Sequence, residues 1–215
     1  MKWDKPFQGW FVYIVGNQIR GSMMPEIDRE LVEKARRGDD IALETLFRAH
    51  EASLYRYLRI LCNEEAMAQE LYQETWLRVS RWLGSGKKVE RFRAWLFTIA
   101  ANLYRDELRR RRFARLLRQE TEDLDSLPSP AGGEFSDLRH ALEKALATLS
   151  LRQKRAVVLC YIEGHKIAQA AEILGAAEGT IKATLFKAVR LLRRRLEADG
   201  YIGPDEPARS SGERS

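Results

Sequence analysis

The sequence predicts an all-α protein of two small helical domains joined by a flexible acidic linker, the second domain containing a helix-turn-helix. Three observations predict it. Apolar residues recur at helical spacing through most of the chain: Phe92, Trp95, Leu96 and Ile99 stand at i, i+3, i+4 and i+7, and Leu138, Ala141, Leu142, Ala145, Leu146 and Leu149 repeat the series further on. Between these stretches lies ETEDLDSLPSPAGGEFSD, which is acidic, holds two prolines and two glycines, shows no sustained period and reads as a linker. Charge follows the same division: seven arginines between Arg105 and Arg118, six acids and no bases between Gln119 and Asp137, and six bases and no acids between Ile181 and Arg195. Basic, acidic, basic is the order of two binding modules around a connector.

The division predicts an atypical N-terminal extension over 1–24, a first helical domain over 25–116, the linker over 117–136, a second domain over 137–198 and a disordered tail over 199–215. In the extension, Trp10 to Val15 form an aromatic and β-branched run suited to a strand. Met23 and Met24 stand just before the first helical pattern, and the natural start is expected there. The net charge of +6 favours a polyanionic partner. Cys62 and Cys160 form no CxxC pair, which fits a reducing cytoplasm, and His50, His140 and His165 lack metal-ligand spacing, so no metal or cofactor is expected. No apolar run approaches the roughly 20 residues of a membrane-spanning helix.

In the first domain, Leu31, Val32 and Ala35 form a short stripe, Gly38 can close that helix in a left-handed cap, and Asp39 or Asp40 can open the next. Ile41, Leu43, Leu46, Phe47, His50, Leu54, Tyr55 and Leu58 make a long amphipathic helix, with His50 a packed residue at the core edge. A third helix turns Leu71, Thr75, Val79 and Trp82 inward and leaves Gln73, Glu74 and Arg78 on a polar face. The loop Gly84-Ser85-Gly86 leads to RFRAWLFTIAANLYRDELRRRR. Here Phe92, Trp95, Leu96 and Ile99 form a buried stripe, while Asn102, Arg105 and Arg109, at i, i+3 and i+7, face outward. Amide and guanidinium groups beside aromatic rings suit unstacked bases and a phosphate backbone. A solvated basic helix end is the competing reading.

In the second domain, Ser150 and Gln153 make a capping box, and Glu163-Gly164 ends the helix it opens. Then an Ala-rich helix, a turn at Leu174-Gly175 and a helix with a basic face match a helix-turn-helix. Ala171 is the expected crossing point, and Ile181 packs back on the first helix. A helical hairpin without DNA binding is the competing reading, against which the basic block from Lys182 to Arg195 weighs.

Together the modules resemble a bacterial RNA polymerase sigma factor of the extracytoplasmic-function group of the sigma-70 family. ELYQETWLRV is similar to that group's D-L-V-Q-E-T-F-L-R pattern, FRAWLFTIAANLYRDELRRRR to F-R-x-W-L-x-x-I-A-x-N-x-x-x-D-x-L-R-R, and AEILGAAEGTIKATLFKA to A-E-I-L-G-x-S-x-G-T-V-K-S-R-L-x-R-A. The resemblance implies a non-enzymatic subunit that binds core polymerase, through the β′ clamp helices and the β flap, and directs it to promoters. Leu71, Gln73 and Glu74 match the polymerase-docking surface, with Leu71 expected as an exposed anchor. Trp95, Asn102, Arg105, Arg109, Arg110, Arg111 and Arg112 are the implied contacts to melted minus-ten DNA and nearby phosphates. Thr180, Lys182, Ala183, Thr184, Lys187 and Arg190 are those to the minus-35 duplex. An anti-sigma factor is the implied regulatory partner.

The chain departs from these patterns. Ala101 precedes Asn102 where the group often has Arg. Lys166 and Ala177 replace the usual Ser caps of the two motif helices, Thr184 replaces a frequent Arg, and Phe186 a polar residue. An altered minus-35 preference is expected. The acidic linker is either a tether or a polyanion that mimics nucleic acid in the polymerase channel. A stand-alone helix-turn-helix regulator is the alternative function; it leaves the Gln73-Glu74 face and the Asn102 helix idle. An enzyme reading finds neither a phosphate-cradling loop nor a nucleophile–base pair.

Overall fold

A computed structural model describes residues 25–62, 64–118 and 137–201. The N-terminal extension, the linker from 119 to 136 and the tail beyond 201 lie outside the described residues, as do the expectations made for them. The described residues form eight α-helices and one π-helical turn.

The first unit has four helices: α1 (Pro25–Arg36), α2 (Asp40–Leu61), α3 (Glu65–Gly84) and α4 (Phe92–Arg118). Proline at the first helical position of α1 loses no intrahelical hydrogen bond. Gly38 takes φ of +89°, and Asp39 accepts from the Ala42 N–H at 3.0 Å, so a left-handed residue and a carboxylate cap divide α1 from α2. Leu46, Leu54, Leu58, Val79, Leu83, Leu96 and Phe97 are almost wholly buried and form the centre of this unit. His50 is buried at the core edge, its Nε2 3.0 Å from Asp28 of α1.

Two expected inward positions differ. Ile41 is 77% exposed and Trp82 39% exposed, because both lie at the margin of their helix stripe; Trp82 is covered on one side by Trp95 of α4. Trp76, assigned to neither face in the sequence, is buried instead, 4.7 Å from the Phe47 ring. The predicted stripe of α4 also splits. Phe92 and Leu96 are buried, whereas Trp95 and Ile99 are half-buried and line an open cleft.

The second unit comprises α5 (Asp137–Ala147), α6 (Leu151–Val157), a π-helical turn (Val158–Ile162), α7 (Ile167–Leu174) and α8 (Glu178–Ala198). The capping box forms: the Ser150 N–H donates to Gln153 Oε1 at 2.9 Å, and Ser150 Oγ accepts from the Gln153 N–H at 3.4 Å. Gly175, at φ +62°, closes α7, and the Ala176 N–H reaches back to the Ala171 carbonyl at 2.9 Å. Ala171 and Ile181 are buried where α7 and α8 cross. The two units share a seam: α4 packs along α7, and α2 touches α6 and the π turn.

Candidate nucleic-acid and polymerase interfaces

Trp95, Ile99 and Asn102 of α4 form one wall of a shallow cleft of about 440 Å³, lined also by Arg78, Arg81, Trp82, Ser85 and Lys87. The opposite wall is the end of α3 and the loop after it. The Trp82 and Trp95 rings lie 5.7 Å apart at 50°, and Lys87 Nζ sits 4.5 Å above the Trp82 ring. Asn102 is half-buried, and its side-chain carbonyl accepts from Arg105 Nη2. The amide is therefore held by a guanidinium beside two indoles. Aromatic faces, an amide and three cations in one trough, Arg78, Arg81 and Lys87, can stack a base and neutralise its phosphates.

Of the arginines implied as DNA contacts, Arg105, Arg109, Arg110 and Arg112 are exposed. Arg109 lies 3.3 Å from Asp106, and Arg110 2.7 Å from Glu107. Arg111 differs. It donates to Glu107 at 2.7 Å and bridges to Glu64 at 3.0 Å, which raises its pKa and ties the end of α4 to the start of α3. Its guanidinium serves the fold, while its neighbours face solvent.

The implied docking face lies on the other side of α3. A second cleft of about 660 Å³ is lined by Asp40, Leu43, Glu44, Phe47, Tyr72, Gln73, Trp76, Leu77 and Ser80. Gln73 is exposed on it, and Glu74 stands beside it, paired with Arg78 at 2.8 Å. The exposed-anchor expectation for Leu71 is corrected: Leu71 is buried and packs into the core. Helical geometry explains this, because Leu71 shares the inward face of Thr75 and Val79. Leu77, half exposed in the cleft, is the apolar residue presented there.

On α8, Lys182, Ala183, Lys187 and Arg190 are exposed, and Thr180 and Thr184 are half-buried. Thr184 Oγ1 donates to the Thr180 carbonyl at 2.7 Å, so its hydroxyl proton is engaged within the helix. Phe186 is 40% exposed, with the Arg190 guanidinium 5.6 Å over its ring. Neither motif helix has a side-chain N-cap: Ala177 cannot supply one, and at Lys166 the Gln169 side chain accepts from the cap N–H at 2.9 Å but a lysine cannot accept in return. The cleft-lining residues not singled out as site residues in the sequence are Arg78, Arg81, Trp82 and Lys87. Their one legible signal was the Lys87-Lys88 pair beside the tryptophans. Among the described residues no group of His, Cys, Asp or Glu could hold a metal, and no helix is long and apolar enough to cross a membrane.

Comparison with known proteins accounts for this arrangement. The family model for sigma-70 region 2 matches residues 46–114, and the model for sigma-70 region 4 matches residues 139–192. The sigma factor BldN of Streptomyces coelicolor is 36% identical over 79% of this chain, a match spanning 66% of that relative. SigL of Mycobacterium tuberculosis is 36% identical over 74% of this chain and 90% of its own length. Among solved structures, CnrH in complex with the cytosolic domain of CnrY aligns with a TM-score of 0.59 at 26% identity, covering 81% of this chain and 99% of CnrH. RpoE of Bartonella quintana in complex with the anti-sigma factor NepR aligns with a TM-score of 0.59 at 28% identity, covering 73% and 97%. The chain belongs to the extracytoplasmic-function group of the sigma-70 family, and its cleft-bearing unit and helix-turn-helix unit carry regions 2 and 4. It is a sigma factor, a non-enzymatic transcription initiation factor. That assignment sets aside the enzyme and the stand-alone regulator.

Proposed function

We propose that this sigma factor binds core RNA polymerase in the cytoplasm, places α8 on the minus-35 duplex and traps unpaired minus-ten bases in the cleft between α3 and α4. The observation that carries this reading is the trough in which Trp82, Trp95 and Asn102 converge beneath a cationic rim. Strand separation needs no catalytic residue: unstacking a base costs a few kcal/mol, and stacking on an aromatic side chain returns about 1–3 kcal/mol per base. Arg105, Arg109, Arg110 and Arg112 track the backbone, with affinity falling as salt rises.

Polymerase docking falls to the second cleft, where Gln73 and Leu77 lie beside a floor of Phe47, Tyr72 and Trp76 and an acidic edge of Asp40 and Glu44. An apolar floor with a polar rim is the anatomy of a protein interface. The β′ clamp helices are the partner there, and region 4 meets the β flap. On α8, Thr180, Lys182, Ala183, Lys187 and Arg190 form the duplex-facing surface. Phe186 and the internally bonded Thr184 alter its preference relative to the group. An anti-sigma factor covers these faces, as NepR partners the related RpoE. In vitro transcription with core polymerase and mapping of transcript starts test the reading. Specific starts are expected, and a chain that neither binds core polymerase nor directs it to any promoter overturns it.

A further inference from the structure

The end of α4 carries two apolar side chains that neither the core nor the function above uses. The helix runs for 27 residues, about 40 Å. Arg111 ties it to Glu64 at the start of α3. Beyond that tie Arg112, Phe113, Ala114 and Leu116 are all exposed, Phe113 at 64% and Leu116 at 70%. Folding of the unit therefore gains little from either apolar residue. Single exposed apolar side chains are ordinary on a protein surface, but these two share a line. Counted from Asn102, Phe113 is i+11 and Leu116 is i+14, so at 3.6 residues per turn both return to within about 40° of it. Arg109, at i+7, lies between them and Asn102 on the same stripe. The face that begins in the base cleft is thus continued, past the arginines, by an aromatic ring and a branched alkyl group.

We infer that Phe113 and Leu116 form an apolar wedge that enters the promoter duplex just upstream of the melted minus-ten bases and unstacks a base step there. The inference rests on the proposed function, which seats a minus-ten base at Asn102. Two observations make promoter DNA the occupant of this face. One is continuity, since a single helical stripe runs from the base cleft to the wedge. The other is charge. From Arg109 to Arg118 the sequence holds six arginines and no acid, and Arg109, Arg110 and Arg112 are exposed around the apolar pair. A surface of one sign suits a polyanion. Apolar side chains set among cations are the means by which proteins kink a duplex: the cations hold the phosphates, and Phe or Leu slides between base pairs.

The helix also sets where the wedge falls. Phe113 lies about 16 Å along the axis from Asn102, and Leu116 about 21 Å. At ~3.4 Å per base pair these rises span roughly five and six base pairs. The linker to region 4 follows Arg118 directly, and region 4 holds the minus-35 duplex, so this is the upstream end of the helix. A base step at that distance opens in part when the wedge enters. The wedge therefore favours the pyrimidine–purine steps that unstack most easily, TA and CA/TG. The consequence is an indirect sequence preference in the duplex between the two promoter elements, at a position where no hydrogen bond reads a base edge.

Two fork-junction probes, built on a promoter mapped with the parent chain, test the wedge in holoenzyme assembled from the full chain and core polymerase. The shorter probe carries only the single-stranded minus-ten segment. The longer one adds a helical turn of upstream duplex, in which a fluorescent adenine analogue that brightens on unstacking is placed at each position in turn. The parent should brighten it most at about five to six base pairs from the seated base. Phe113→Ala combined with Leu116→Ala should abolish that signal and weaken binding of the longer probe by roughly tenfold. Binding of the shorter probe, binding of core polymerase and helicity should stay as in the parent, because both side chains are exposed. An analogue that stays dark at every upstream position, or a doubly substituted chain that binds the longer probe as the parent does, overturns the wedge. So does a loss confined to core binding, which would assign the face to polymerase, or tighter DNA binding, which would assign it to the chain's own acidic linker. A parent that brightens the upstream analogue but gains nothing from the minus-ten strand would sink the base cleft and leave the wedge standing.

Discussion

Trp82 and Trp95 face each other across the mouth of the α3–α4 cleft, ring centroids 5.7 Å apart, with Lys87 capping Trp82 at 4.5 Å. The pair joins two helices and leaves indole surface open beside Asn102. Trp82→Ala keeps the core intact, because Trp82 is substantially exposed. Losing one stacking face is worth about 1–3 kcal/mol, or roughly ten- to hundredfold in affinity. Open-complex formation on a matched promoter should fall by that factor with helicity unchanged. A variant that opens promoters at the parent rate would remove the cleft from the mechanism.

Asn102 and Gln73 lie in separate clefts and should fail separately. Asn102→Ala should weaken open-complex formation and spare core polymerase binding. Gln73→Ala with Leu77→Ala should weaken core binding and leave binding of single-stranded minus-ten DNA unchanged. Pull-down against core enzyme and fluorescence anisotropy on an oligonucleotide check the two. One shared defect would contradict this division.

Neighbouring arginines should also separate. Arg111 is clamped between Glu107 and Glu64, whereas Arg112 is exposed. Arg111→Ala should cost about 1 kcal/mol and lower Tm by a few degrees, with the exposed Glu64 contributing little of it. Arg112→Ala should leave Tm unchanged and reduce the salt dependence of DNA binding by about one phosphate contact. Thermal melts and salt titrations of the two variants give the comparison.

His165 sets the sign of a pH effect. Burial, with help from Arg93 on α4 and His50 on α2, pushes its pKa down to about 3 from an ordinary value of 6.5. Glu163 on its own segment, with Arg56 on α2, lines the same seam. Closed, His165 stays neutral; released into water it binds a proton below about 6.5. The proton therefore favours the open form, and the closed seam weakens as pH falls from about 6.5 toward 3, by up to ~1.4 kcal/mol per pH unit. The radius of gyration should rise between pH 7 and 5 in the parent, and His165→Phe should flatten that rise. Equal pH dependence in both would assign the effect to other groups.

The uncapped motif helices offer a gain. Lys166→Ser and Ala177→Ser each supply a side-chain acceptor to a free N–H and should stabilise region 4 by about 1 kcal/mol, read as a rise in Tm. No rise from either change would mean that both helix ends are already satisfied.

Much of the site was legible because periodicity and spacing are local. Asn102, Arg105 and Arg109 share a face in any α-helix, and three of the four arginines from Arg109 to Arg112 stay exposed as expected. What failed was the sorting of apolar residues between core and interface. Leu71 and Leu77 are the same residue type on one helix, and Trp76 and Trp82 likewise. Which of each pair is covered depends on where α2 and α4 lie, and no window of sequence contains that.

By itself, the sequence determined that this is an all-α chain of two modules and which motifs each carries, because stripes, caps and turns are written within one or two turns of chain. It also determined the family, through motifs whose spacing survives without coordinates. Only the tertiary structure decided that Trp82 and Lys87 line the α3–α4 cleft, that Arg111 is a clamp, and that Glu163 reaches Arg56 across 107 positions of chain. The physical reason is common to all three. Burial and pairing are properties of surfaces brought together by packing, and an ordinary helix-end Glu-Gly becomes a buried ion-pair partner only when the other unit supplies the arginine.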